Sequence, residues 1–179
     1  MTDTAVLVVD MLNSYRHEDA DRLAPNVEKI IDPLTKLIAK ARDRDDVTLV
    51  YANDNYGEFA ADFDDIVRAA LEGERPDLVE PITPSEGSLK VTKVRHSAFF
   101  ASPLEYLLQR QEIKRIVLTG QVTEQCILYS ALDGYVRHFD VVVARDAVAH
   151  IDAELGAAAL KMMESNMRAS VLQAAECLP

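Results

Sequence analysis

The chain has 179 residues, 49% hydrophobic and 27% charged, which is the size and balance of one soluble globular domain over residues 1–179. Its 30 acidic and 19 basic residues give a formal net charge of −11, which argues against nucleic acid or an anionic membrane as the main partner. No apolar run could span a bilayer, no secretory signal pattern is present, and the two cysteines lack disulfide-framework or zinc-site spacing. We therefore expect a cytoplasmic protein.

The first half of the chain alternates between strand and helix patterns. A β-branched run at 5–9 ends at Asp10 and predicts a buried strand. Apolar residues then follow helical spacing over 26–44, with Asn26 as the N-cap and Pro33 predicting a kink or a division into two helices. The other predictions for this half are a strand at 47–52, a helix at 59–71, a mostly irregular segment at 73–88 and a strand at 89–94.

The second half continues the alternation. Ser102 and Pro103 form a helix-start pattern that predicts a helix to about residue 111. The predictions that follow are a strand at 113–119, a helix at 123–138, a strand at 141–144, a helix at 152–167 capped by Asp152, and a strand at 169–172. This alternation predicts an α/β fold, a doubly wound and mostly parallel six-stranded sheet with helices on both faces.

Reactive side chains at the ends of the predicted strands are the first candidates for a site, because such sheets bind ligands beyond their carboxyl ends. The glycines show neither GxGxxG spacing nor a P-loop, so we expect no nucleotide or other cofactor. Three side chains qualify by position and chemistry: Asp10 ends the first strand, Lys93 lies at the end of the third, and Cys126 follows the fourth.

Cys126 lies near the start of a predicted helix. With Thr123 as N-cap, the cysteine would occupy the third helical position, where unpaired N–H groups and the helix dipole stabilise a thiolate. A nearby Lys93 would lower the pKa of the thiol further, and Asp10 could take the thiol proton and deliver it later. From the residues alone this is a candidate triad, and the alternative is that each residue is a structural or solvated side chain.

The same segments resemble the cysteine-hydrolase branch of the isochorismatase-like superfamily, which includes nicotinamidases and N-carbamoylsarcosine amidohydrolases. The resemblance covers almost the whole chain. The segments that carry it are Asp10-Met-Leu-Asn13, Lys93 with Ser97-Ala98-Phe99, and Thr119-Gly120 with Thr123 and Cys126, which look like the motifs D-x-Q-N, K-x-x-x-S-A-F and T-G-x-x-T-x-x-C.

The resemblance implies a role for each residue. Cys126 would be the nucleophile, Asp10 the general base and Lys93 the electrostatic partner of both. A non-proline cis peptide would join Val122 to Thr123, and it would aim backbone N–H groups at a developing oxyanion.

Departures from the family pattern limit what the resemblance implies about the substrate. Leu12 replaces the usual glutamine, and Asp54 is followed by Asn55 and Tyr56 where nicotinamidases have a metal-binding Asp-x-His, so we expect no metal. We expect the segment 59–95 to shape the pocket mouth and to set substrate choice. The candidates to line the pocket are Tyr56, His96 and Phe100.

The leading functional hypothesis is hydrolysis of a small amide or carbamoyl compound through a thioester on Cys126. One alternative is vinyl-ether hydrolysis of isochorismate, although members of that kind lack this cysteine. Another is a non-hydrolytic role in thiol redox chemistry or binding. The expected partners are a small-molecule substrate and, on the resemblance only, further copies of the chain in a homo-oligomer.

Overall fold

The structure is a computed structural model that describes residues 3–178. Its strands are β1 (Thr4–Val9), β2 (Val47–Asp54), β3 (Leu89–Lys93), β4 (Arg115–Gln121), β5 (Asp140–Ala149) and β6 (Ser170–Leu172). Its α-helices are α1 (Ala20–Arg42), α2 (Phe63–Leu71), α3 (Pro76–Val79), α4 (Leu104–Arg110), α5 (Leu128–Val136) and α6 (Ala153–Met167). A π-helical turn, Thr123–Ile127, leads directly into α5.

The strands form one six-stranded sheet in the order β3-β2-β1-β4-β5-β6, and every pair is parallel. Alternate residues of β1 face opposite sides of this sheet. Val6 and Val8 belong to the core cluster under α1, α2 and α3, whereas Ala5, Leu7 and Val9 belong to the cluster under α4, α5 and α6. The predicted doubly wound α/β fold is therefore confirmed.

Helix α1 differs from its prediction at the start and in the middle. It begins at Ala20 after Asp19, so Asn26 is not the N-cap but lies inside the helix, where its side chain donates to the His150 carbonyl. Pro25 and Pro33 both lie inside the helix without dividing it. The buried stripe of α1 explains this, because packing of an apolar face against the sheet can outweigh a missing hydrogen bond.

Other boundaries shift by a few residues. Helix α2 begins at Phe63 rather than at 59, because Asp62 and Asp65 form a capping box. The segment 73–88 is less irregular than expected, since it contains α3 and a 3-10 turn, Glu80–Ile82. Among the described helices, none combines the length and the apolar character needed to cross a bilayer.

Candidate active site

Three parallel strands bring the predicted triad together at the carboxyl edge of the sheet. Asp10 follows β1, Lys93 ends β3, and Cys126 lies in the turn after β4. β2 lies between β1 and β3 in the sheet, and its last residue, Asp54, pairs in register with Lys93. The sequence separates these side chains widely, and the sheet makes them neighbours.

Lys93 is the centre of the cluster. Its side chain is fully buried, and its Nζ lies 2.8 Å from Asp10 Oδ2, 3.2 Å from Asp54 Oδ2 and 3.8 Å from Cys126 Sγ. Burial lowers the pKa of this ammonium, but its interactions with Asp10, Cys126 and Asp54 outweigh burial and raise the pKa above its ordinary value. Lys93 is therefore a fixed positive charge between two carboxylates and a sulfur.

The Asp10 carboxylate is held by contacts from several sides. Its backbone is in the left-handed region, at a φ of 52°, and its Oδ1 accepts from the Asp54 backbone N–H at 2.8 Å. The Gln121 side chain donates to the Asp10 carbonyl at 2.7 Å, and Gln121 in turn accepts from the Tyr15 hydroxyl at 3.4 Å. Burial raises the pKa of Tyr15 to about 12, so this phenol stays a neutral donor.

Three members of the cluster were not predicted as such: Gln121, Tyr15 and Asp54, of which only Asp54 had been considered, as the position of a metal-binding motif. Asp54 and Gln121 are the last residues of β2 and β4, so the rule that favours residues at strand ends could have found them. Tyr15 lies in a loop and has no comparable sequence signal.

The turn that carries Cys126 departs from the prediction in two ways. The cis peptide joins Gln121 to Val122, one residue earlier than the expected bond between Val122 and Thr123. Thr123 begins the π-helical turn rather than capping it, and its buried hydroxyl has no hydrogen-bond partner among the described residues. The Val122 carbonyl instead accepts from the N–H groups of Gln125 and Ile127, at 3.0 and 3.1 Å.

Gly120 explains why the turn can lie so close to β1. Its φ is 106°, and a Cβ built on it would lie 2.0 Å from the carbonyl oxygen of Val9. No residue with a side chain fits there without moving the backbone. The glycine thus brings the backbone before Cys126 against β1, the strand that Asp10 follows.

The pKa of the Cys126 thiol is shifted opposite to the expected direction. Burial raises it, the Asp10 carboxylate raises it further, and the Lys93 ammonium and a backbone hydrogen bond from Val122 only partly oppose them. The pKa of Asp10 is also raised, mainly by burial, although Lys93 and its hydrogen bond with Cys126 lower it. The direction of the Cys126 shift favours a neutral thiol beside Asp10 in the resting site, rather than the thiolate expected from helix position.

A cavity of about 390 Å³ opens onto this cluster. Asp10, Asp54 and Cys126 line it, and Tyr56 and Ile151 are among the other lining residues. A volume of this size is typical of small-molecule sites.

Of the three predicted pocket residues, only Tyr56 lines this cavity among the described residues. The loop after β3 instead packs against α5, where the Ala98 N–H donates to Ser130 Oγ at 2.9 Å. The His96 ring accordingly lies 5.4 Å from the Tyr129 ring, and Phe100 is exposed to solvent.

The described residues contain no group of three or more His, Cys, Asp or Glu side chains that could hold a metal ion. The Asp54 carboxylate, at the position of the nicotinamidase motif, is engaged by Lys93 and by the Tyr56 backbone N–H.

Comparison with known proteins identifies the family. The family model for the isochorismatase domain matches residues 4–176. The isochorismatase family protein YaaI of Bacillus subtilis is 31% identical over 169 residues, which are 94% of this chain and 93% of the relative. The maleamate amidohydrolase of Pseudomonas putida is 32% identical over 152 residues, which are 80% of this chain and 71% of that enzyme.

A solved structure agrees with the sequence relatives. The crystal structure of N-carbamoylsarcosine amidase from Thermoplasma acidophilum matches with a TM-score of 0.77 and 25% identity, and the match covers 99% of both chains. The resemblance inferred from the motifs is thereby confirmed. The chain belongs to the isochorismatase family, is similar to its amide hydrolases, and is an enzyme of the hydrolase class.

Proposed function

We propose that this enzyme hydrolyses the C–N bond of a small amide or carbamoyl compound through a thioester on Cys126. The observation that carries the proposal is the contact of one buried ammonium, Lys93, with both the Asp10 carboxylate and the Cys126 sulfur, at 2.8 and 3.8 Å. Two of its relatives are named as enzymes that act on amides, one on maleamate and one on N-carbamoylsarcosine.

The first half of the reaction forms the thioester. Asp10 accepts the thiol proton as the Cys126 sulfur bonds to the substrate carbonyl carbon and the C=O π electrons move onto oxygen. The tetrahedral intermediate then re-forms its C=O bond and breaks the C–N bond. The nitrogen leaves with the bonding pair, takes the proton from Asp10, and departs as ammonia or an amine.

The second half releases the acid. Asp10, ionised again, accepts a proton from water as the water oxygen attacks the thioester carbon. The C–S bond breaks, and the sulfur leaves with the electron pair and recovers the proton from Asp10. One water is consumed, and the thiol and carboxylate return to their starting states.

The Lys93 charge and nearby backbone N–H groups support both halves of the proposed reaction. The Lys93 ammonium stabilises the thiolate that forms during attack, and it lowers the pKa of Asp10 against the larger opposing effect of burial. The backbone N–H groups of Thr123 and Cys126 are the candidate donors to the oxyanion, because the first N–H groups of a helical turn lack intrahelical acceptors.

The experiment is a screen of primary amides, ureido acids and N-carbamoyl amino acids, with ammonia release as the readout. We expect at least one compound to be turned over, and we expect the Cys126→Ala variant to lose activity by at least about a thousandfold. The matched control is Cys177→Ala, which removes the other buried thiol and should retain activity.

Isochorismate belongs in the same screen. Hydrolysis of isochorismate by both the parent and Cys126→Ala, without turnover of any amide, would replace the proposal with vinyl-ether hydrolysis. Full ammonia release by Cys126→Ala would remove the thioester step.

A further inference from the structure

A second cavity, of about 460 Å³, lies beside the catalytic one. The two cavities share two lining residues, Ser14 and Tyr56, so they are direct neighbours. Apolar side chains provide most of the second lining, which we call the alanine cavity: Leu12, Ala60, Ala61, Ile66, Ala69 and Ala70. Its volume comes from small side chains, since four of these six residues are alanines.

Tyr56 is a fixed boundary between the two cavities. Its hydroxyl donates to the Leu12 carbonyl at 3.0 Å, and its backbone N–H donates to Asp54 Oδ1 at 2.8 Å. Burial raises the pKa of the Tyr56 hydroxyl well above its ordinary value, although 54% of the residue surface is exposed. The hydroxyl end is therefore inside the protein and the ring borders solvent, so the ring offers an apolar surface between the cavities.

Asp54 connects this boundary to the catalytic cluster. One of its carboxylate oxygens accepts from the Tyr56 N–H, and the other lies 3.2 Å from Lys93 Nζ. The alanine cavity is thus held at a constant position relative to the catalytic cluster.

The charges around the alanine cavity restrict its occupant. Glu58 and Asp65 are among its lining residues, and no lysine or arginine among the described residues lines it. Neither carboxylate offers a partner to an anionic group, even though Asp65 is itself paired with Arg68, and the apolar part of the lining leaves a charged or strongly polar group without partners. An uncharged hydrocarbon is the chemistry that fits.

We propose that the alanine cavity is a substrate subsite that receives an uncharged apolar substituent on the acyl side of the scissile amide. The proposal rests on the proposed function. The acyl group stays on Cys126 through both halves of that reaction, so contacts made by its substituent can assist both. The preferred substrates would then be primary amides with an alkyl or similar apolar chain, rather than the smallest amides.

The test is a series of straight-chain primary amides: acetamide, butanamide and hexanamide. We expect kcat/KM for ammonia release to rise about fourfold for each added methylene that the cavity buries. A flat or falling series would overturn the subsite.

Filling the cavity tests its location. Ala69 is an exposed residue of α2 that lines the cavity, and Ala69→Phe should lower the hexanamide-to-acetamide ratio of kcat/KM by at least tenfold. Ala61→Leu, outside the helix, is a second filling variant if the first fails to fold. The matched control is Ala158→Phe, on the exposed side of α6, which should keep the parent ratio. An unchanged ratio in a folded filling variant would overturn the proposal.

A binding measurement separates this proposal from the proposed function. Calorimetry with the Cys126→Ala variant measures affinity for the same amides without turnover. Affinity that rises with chain length and falls on adding Ala69→Phe supports the subsite even if the parent hydrolyses no amide, and that combination would overturn the proposed function alone. Hydrolysis of acetamide with flat affinities along the series would overturn the subsite alone.

Discussion

Cys126, in the turn after β4, and Cys177, directly after a 3-10 turn at Ala174–Glu176, are both buried and in no disulfide, yet the two thiols have different neighbours. Cys126 shares its surroundings with the Asp10 carboxylate and the Lys93 ammonium. Cys177 donates to the Gln173 carbonyl at 3.3 Å. Burial raises the pKa of both, that of Cys177 to about 11. Burial alone therefore does not distinguish Cys126 from Cys177. Cys126 differs because it has a proton acceptor, Asp10, and a fixed positive charge, Lys93, beside it.

Removing Asp10, the proton acceptor, should have the largest effect on the difference between Cys126 and Cys177. Asp10→Asn keeps the size of the side chain but loses the base, so we expect kcat/KM to fall by about 10² to 10⁴. The pKa of Cys126 should fall at the same time, because the Asp10 carboxylate raises it. Ammonia release and the pH dependence of iodoacetamide alkylation measure the two changes. Loss of activity with an unchanged thiol pKa would contradict the assigned contact.

Removing the positive charge should be the next largest change. Lys93→Met leaves the buried Asp10 carboxylate and the partly buried Asp54 carboxylate without their cation, so we expect the free energy of unfolding to fall by about 3–5 kcal/mol in urea titrations. The matched control is Lys40→Met, because Lys40 is the cation near Cys177 and is exposed. That control removes one hydrogen bond, from Lys40 to the Leu178 carbonyl, and should change stability by no more than about 1 kcal/mol. An equal loss in the free energy of unfolding for Lys93→Met and Lys40→Met would show that the buried cation contributes no more to stability than the exposed one.

The pH dependence of alkylation compares the two thiols directly. Only the thiolate reacts, so the rate rises as the pH passes through each raised pKa, and both cysteines should react more slowly at pH 7 than a free thiol with a pKa of about 8.5. Mass mapping after iodoacetamide treatment assigns the rates, and the urea-unfolded chain is the reference. A Cys126 midpoint at or below that of the unfolded chain would contradict the neutral resting thiol.

The smallest effect should come from Cys177→Ala. The change removes one hydrogen bond and a small buried side chain, so we expect a loss of about 1 kcal/mol in the free energy of unfolding with kcat/KM unchanged. Thermal unfolding and ammonia release measure the two quantities. A tenfold loss of activity in this variant would mean that Cys177 influences the site from its distant position.

Sequence patterns predicted the parts of the fold that depend on local order. The β-branched runs gave the strands, and Asp152 caps α6 as expected through bonds to Glu154 and Leu155. The prediction for α1 was wrong at Asn26, which is not the N-cap, and at Pro33, which does not divide the helix. The packing of α1 on the sheet depends on residues far away in the chain. Helix propensity and capping patterns in the local sequence give no information about such contacts.

The candidate site shows the same limit. Asp10, Lys93 and Cys126 were identifiable because each follows or ends a strand. The direction of the Cys126 pKa shift was not, because it depends on burial and on the distance to Asp10, and neither can be read from helix position alone. The pocket residues were the hardest to predict, since the sequence does not say whether the loop containing His96 and Phe100 packs towards the cavity or against α5.

The sheet order also has a consequence for how the chain folds. Residues 10, 93 and 126 become neighbours only when β1, β2, β3 and β4 have all paired in parallel, and parallel pairing across long sequence separations is slow. Until then Cys126 has no buried carboxylate beside it and reacts as an ordinary thiol. In the proposed mechanism the cluster of Asp10 and Lys93 would therefore also protect the nucleophile, and we expect a newly made chain to be most vulnerable to oxidants before its central strands have assembled.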